Sequence, residues 1–138
     1  MSKHAVAAGV FLAMLVVGRP PSAQAQAYIS TTAHRVPFSR VDSLRKLLKA
    51  TKAVVEEAKR HGGVLDDMWL IHAWGGEYNV VEVTTWKSWA AIEDTTLGFE
   101  AASRKVYPDS AQRKRFDDGF NWVFEGVPHV DNIYRKVE

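Results

Sequence analysis

The chain has 138 residues, no cysteine, and 18 Lys and Arg against 16 Asp and Glu, a formal net charge of +2. Without cysteine there is no disulfide framework and no thiolate nucleophile or metal ligand. A balance this close to neutral supplies no general electrostatic pull on nucleic acid or on an anionic membrane.

The first residues, MSKHAVAAGVFLAMLVVGRPPSAQAQA, open on Lys3, run apolar from Ala5 to Gly18 and end in small residues at alternate positions. This is the pattern of a secretory signal peptide. The apolar run is short of the roughly 20 residues that span a bilayer, and Ala23-Gln24-Ala25 offers a small-x-small cleavage site. The expected division is a leader, 1–25, and one domain, 26–138. Lys3 and Arg19 leave with the leader, so the mature part is expected to be neutral, free of the membrane, and periplasmic or extracellular.

YISTTAHRV, Tyr28 to Val36, is rich in β-branched and aromatic residues and stops at Pro37, which predicts a first strand. Ser39 followed by Asp42 has the form of a capping box. From Val41 to Ala58, apolar residues recur at helical spacing, and Gly62-Gly63 ends the pattern where glycine accepts a left-handed conformation. Asp67–Trp74 and Tyr78–Trp86 read as two strands joined by the short loop Gly75-Gly76-Glu77. Ser88 is the expected N-cap of a second helix that yields to Pro108. Asp109-Ser110 caps another helix, with Phe116, Phe120, Val123 and Phe124 on one stripe, and Val127–Val137 reads as the last strand. The order β-α-β-β-α-β predicts an α+β, ferredoxin-like domain: a four-stranded antiparallel sheet with helices on one face. The other face then needs solvent or a partner, and a second copy of the chain is the expected partner.

At VVEVTTWKSWAAIEDTTLGFEAA, Val80 to Ala102, the chain resembles the dimeric α+β barrel superfamily, which includes antibiotic-biosynthesis-type monooxygenases. Trp86 ending a strand, Ser88 starting a helix and Phe99 farther on match its pattern. The resemblance implies a homodimer packed sheet to sheet, with a pocket between each sheet and its helices or loops. Heme-degrading members carry a Trp and a His in the second helix region. Residues 90–107 here hold neither, so the resemblance does not extend to that activity.

A three-residue loop would place Trp74 opposite Tyr78, His72 opposite Val80 and Leu70 opposite Glu82. One face would then collect Trp74, Tyr78, Trp86, His72, Leu70 and Glu82, with Tyr28 and His34 from strand one. Trp69, Ile71, Ala73, Val81 and Val83 would form the helix-packing face. Large flat walls with few polar groups suit a small aromatic or apolar ligand; the same aromatics also suit a dimer interface. Candidate ligand contacts are Trp74, Trp86, Tyr78, Leu70 and Tyr28. Candidate catalytic residues are His72, His34 and Glu82, a carboxylate able to orient a histidine base. The same trio has the composition of a two-His-one-carboxylate metal set, but no ligand-spacing motif accompanies it, so neither a metal nor a cofactor is expected. His129 and Asp131 are expected at the periphery. Arg113 with Asp117, and Lys114 with Asp118, are expected to pair along a helix. Three functions stay open: a small-molecule-binding homodimer, a cofactor-independent monooxygenase or isomerase/cyclase, and a non-catalytic structural or interaction protein.

Overall fold

The computed structural model describes residues 26–72 and 76–137. The expected leader and Ala73, Trp74 and Gly75 lie outside them. The elements run β1 (Tyr28–His34), α1 (Phe38–His61), β2 (Val64–Ile71), β3 (Val80–Trp86), α2 (Trp89–Glu93), α3 (Phe99–Val106), α4 (Ser110–Phe124) and β4 (His129–Arg135). The sheet order is β2-β3-β1-β4 with every neighbouring pair antiparallel. This is the expected α+β, ferredoxin-like domain.

The apolar stripe of α1 buries Val41, Leu44, Val54 and Ala58. Gly62 ends the helix at φ 83°, a conformation that costs any residue with a Cβ. The capping box does not form: the helix begins one residue ahead of Ser39, with Pro37 at its N-cap and no side-chain cap. Asp42 pairs instead with Arg45 at 3.0 Å. Ser88 and Asp109 do cap their helices, accepting from Ala91 N and Ala111 N. The helix expected between Ser88 and Pro108 is two helices, because Asp94 leaves helical geometry and its carboxylate accepts from Thr96 N and Oγ1 at 2.9 and 2.6 Å. That local turn competes successfully with continuation of the helix.

Two apolar clusters hold the helices to the sheet. Val36, Val41, Leu44, Val80 and Val123 form one; Val54, Ala58, Val64 and Ala102 form the other. Buried Glu57 ties α1 to α3 through Lys105 Nζ at 2.5 Å, with Arg60 and His61 at 2.8 and 3.2 Å. The Lys105 hydrogen bond, with Arg60 and His61 beside it, holds the Glu57 carboxyl below its ordinary range.

The hairpin register differs by one residue from the expectation. Trp69 faces Glu82, Leu70 faces Val81 and Ile71 faces Val80, so the connection runs from residue 72 to 79 rather than through a three-residue loop. Asn79 fixes this end of the sheet. Its side chain accepts from Val36 N at 2.8 Å and donates to Val36 O at 2.7 Å, while its backbone N–H donates to His34 O. Because side chains alternate, a one-residue slip exchanges the faces. Trp69, Glu82, Thr32 and His34 therefore look toward the helices, and Leu70, Val81, Val83 and Ala33 look away.

Candidate functional site

Between the sheet and α1, α3 and α4 lies a cavity of about 1070 Å³. Residues of both apolar clusters line it, Trp69, Phe120 and Phe124 from the margin of one and Val54 and Phe99 from the other. The core is thus divided rather than continuous, and the gap is the site.

One wall comes from α4. Phe116, Phe120 and Phe124 recur every fourth residue, which stacks them along one helix face. Phe116 and Phe120 meet edge to face at 5.1 Å between ring centroids, and Phe120 lies parallel to Phe124 at 6.2 Å. Trp69 on β2 closes the array, 6.5 Å from Phe120 and 6.0 Å from Phe124. Arg113 secures the start of α4 by donating to the carbonyls of Tyr107 and Pro108. It does so in place of the expected pairing with Asp117, whereas Lys114 pairs with Asp118 at 2.7 Å as expected.

The sheet supplies the floor. Across the strands Trp69 is paired with Glu82, Glu82 with Thr32, and Thr32 with Asp131. In the next row toward the Asn79 end, Val80, His34 and His129 follow one another. Burial, then the like charges of Asp67 and Asp131, push the Glu82 carboxyl up to about 7. Burial raises Asp67 as well, against the opposing hydrogen bond that Thr84 Oγ1 donates to its Oδ1 at 2.8 Å. His34 is lowered by burial and then by His129, whose ring lies 5.8 Å away. Its Nδ1 is buried without a hydrogen-bond partner, and its ring sits 4.4 Å from that of Phe124. The floor therefore presents a carboxyl that titrates near neutrality beside a histidine biased toward the neutral form.

Glu82 and His34 are brought to the same cavity wall, two rows of one face. His72 is not: it lies past the end of β2, is exposed, and meets the Gly76 turn. Trp86 and Tyr28 share the helix-facing side but stand beyond the cavity. Trp86 fills the second apolar cluster, edge to face with Phe99 at 6.0 Å, with its indole N–H donating to Ser30 Oγ. Tyr28 packs on Trp89. Leu70 lies on the opposite face and is 53% exposed; Tyr78 is in the connection; Trp74 is outside the described residues. Sequence reasoning placed His129 at the periphery, yet it lines the cavity. It assigned Trp69 to packing alone and passed over Asp67. The readable signal was the four-residue spacing of Phe116, Phe120 and Phe124 facing a Trp. Among the described residues no set of three His, Asp or Glu is arranged to hold a metal, and no helix is long and apolar enough to cross a membrane.

No family model and no curated protein matches the chain. Solved structures do. A conserved protein from Methanosarcina mazei is 17% identical, covering 83% of this chain and 96% of its own, with a TM-score of 0.52. A dimeric ferredoxin-like protein from an uncultured marine organism is also 17% identical over 82% and 97%, at 0.52. A NIPSNAP family protein from Agrobacterium tumefaciens is 12% identical over 83% and 89%, at 0.53. At these identities the likeness is one of fold, and it spans nearly the whole described chain.

Proposed function

We propose that the chain is an exported homodimeric protein that binds a small aromatic or apolar molecule in the cavity between sheet and helices. The observation that carries this reading is the cavity itself, about 1070 Å³ with the rings of Trp69, Phe99, Phe116, Phe120 and Phe124 on its walls. Sites for drug-sized ligands are commonly about 300–1,000 Å³, mostly apolar, with a few placed polar groups. The dimeric state of the marine ferredoxin-like protein supports assembly of this chain through its open sheet face. The leader-like sequence of residues 1–25 supports export to the periplasm or beyond.

Native mass spectrometry on protein secreted with its own leader tests all three parts. The expected species is a dimer of chains beginning at Gln26, carrying extra mass. A bare dimer to which no aromatic probe binds would end the ligand reading, a monomer would end the sheet-to-sheet assembly, and an uncleaved chain would end export.

A second reading, an isomerase, cyclase or cofactor-independent monooxygenase, is favoured by Glu82. A carboxyl pushed up to about 7 can both give and take a proton at neutral pH, and His34 stands within the same cavity. In that reading Glu82 is the acid–base group and the His34 ring forms part of the wall beside it. With a turned-over substrate in hand, the rate should follow a group titrating near 7. Glu82→Gln should abolish turnover while leaving binding measurable, and turnover that survives the change rules the mechanism out.

A further inference from the structure

Carboxyls gather on and around the cavity floor. Asp67 and Glu82 line it from β2 and β3, Asp131 lies beside them on β4, and Asp117 faces in from α4. The arginines that line the cavity are engaged by other partners, and Lys59, whose charge reaches Asp67, pairs with Asp66 at 2.9 Å. Arg104 on α3 pairs with Glu100, and Arg113 is held by the carbonyls of Tyr107 and Pro108. From α1 come Thr51, Val54 and Val55, which bring no charge. His129 pairs with Asp131 at 3.5 Å and not with Glu82, and His34 is biased to its neutral form by burial. The environment of Glu82 consists of burial and two like charges, with no hydrogen bond offsetting them.

An apolar ligand would leave the Glu82 carboxyl desolvated and uncompensated, whereas a cation would compensate it and add to the hydrogen bond that Thr84 gives Asp67. The aromatic wall is suited to the same guest, because ring faces attract cations and stack on aryl groups. Trp69 is the direct cross-strand neighbour of Glu82 and lies two residues from Asp67 on one face, a step of about 7 Å along a strand. Ring and carboxylate are therefore spaced for one small molecule to reach both.

Resting on the cavity reading above, we infer that the ligand is an organic cation with an aromatic body, of the arylalkylamine class. Its ring lies against the wall of Trp69, Phe120 and Phe124 and its ammonium lies against Glu82 and Asp67. Bound cation favours the ionised form of Glu82, so binding near neutrality releases a proton. Affinity then rises with pH, by about tenfold from pH 6 to pH 8 for a carboxyl titrating near 7.

Calorimetry on the whole mature protein with three indole probes of matched ring and different charge tests this: tryptamine, tryptophol and indole-3-propionate. Tryptamine should bind at least tenfold more tightly than tryptophol at pH 8, with indole-3-propionate weakest. Its affinity should fall about tenfold at pH 6, with a proton release that scales with buffer ionisation enthalpy. Glu82→Gln should remove most of the preference and flatten the pH dependence. Asp67→Asn, as a second variant, should reduce the preference in a protein that keeps Glu82. Equal binding of tryptophol, or a preference for the propionate, overturns the cation and leaves the aromatic cavity standing. Failure of all three probes against folded protein overturns both. A preference and pH slope unchanged in both variants overturns the carboxylates as its cause.

Discussion

The two faces of the sheet reverse the usual assignment of polarity. The face under the helices carries Thr32, His34, Asp67, Glu82 and Thr84 among its apolar residues; the face without helices carries Ile29, Ala33, Met68, Leu70, Val81, Val83, Val130 and Tyr134, with Thr31, Asp66, Thr85 and Asn132 between them. On that open face Met68, Leu70 and Tyr134 are 45, 53 and 53% exposed in the single chain. A largely apolar surface of this kind is costly in water and has the character of an interaction site. Polar groups under a helical layer are costly too unless something occupies the space beside them. Under the proposed function the covered face takes the ligand and the open face the second copy, so occupancy and assembly are separable experiments.

The largest effect should come from the open face. Val83 sits on β3, an inner strand, on the uncovered side. A charge there would be buried in a sheet-to-sheet dimer, at a cost of several kcal/mol. Val83→Glu should convert dimer to monomer in sedimentation velocity while the far-ultraviolet dichroism of the monomer stays that of the wild type. A wild-type protein that already sediments as a monomer would show that the open face is solvated, and the contrast between the faces would lose its meaning.

The next effect belongs to the covered face and has the opposite sign. Glu82 has an ordinary value of 4.5 and is raised to about 7 by burial and by Asp67 and Asp131. A carboxyl raised on folding leaves stability intact below its unfolded value and removes it as pH rises through the folded one. The loss develops between pH 4.5 and 7 and amounts to on the order of 3 kcal/mol above that window. Glu82→Gln should remove this loss, leaving a variant more stable than wild type at pH 8 and nearly equal to it at pH 4.5 in urea titrations. His34, lowered by burial, works in the other direction as pH falls, so the comparison of variant with wild type isolates Glu82. A variant less stable at pH 8 would mean that the Glu82 anion is favourably held.

The architecture was legible in the sequence because each element carries its own punctuation: Pro37, Gly62, Ser88, Asp109 and the apolar spacing of α1 all act locally. The site was legible only in part, because it depends on register, which is a pairwise property. Both candidate faces of the hairpin are rich in apolar residues, so alternation in Val80-Val81-Glu82-Val83 does not choose between them. On the hairpin side the observed register is closed by the backbone, His72 N donating to Asn79 O at 2.8 Å, and a backbone bond carries no residue-type signal that a short window could read. Glu82 and His34 remained together under either register, since both lie on strands whose mutual pairing is independent of the hairpin loop. Leu70 and Trp69 exchanged faces, and with them the identity of the aromatic wall. His72 left the site because the observed register turns Leu70's row to the open face and β2 ends at Ile71, three residues before the expected end at Trp74.

The smallest effects allow the sharpest comparison, since Thr84 and Thr85 are consecutive on β3 and face opposite ways. Thr84 is 3% exposed on the covered side and donates to Asp67 at 2.8 Å. Thr85 lies on the open side opposite Ile29 and Asp66. Valine is nearly isosteric with threonine, so each Thr→Val change alters polarity with little change in shape. Thr84→Val strips the half-buried Asp67 carboxylate of its Thr84 donor and should cost about 1–3 kcal/mol at pH 8, with the cost shrinking at acid pH as Asp67 protonates. Thr85→Val adds apolar surface to a face that already has the character of an interface, and its effect on unfolding should stay within about 0.5 kcal/mol. Equal costs at the two positions would mean that both faces are buried against apolar surroundings; a costly Thr85 beside a neutral Thr84 would invert the assignment of site and interface.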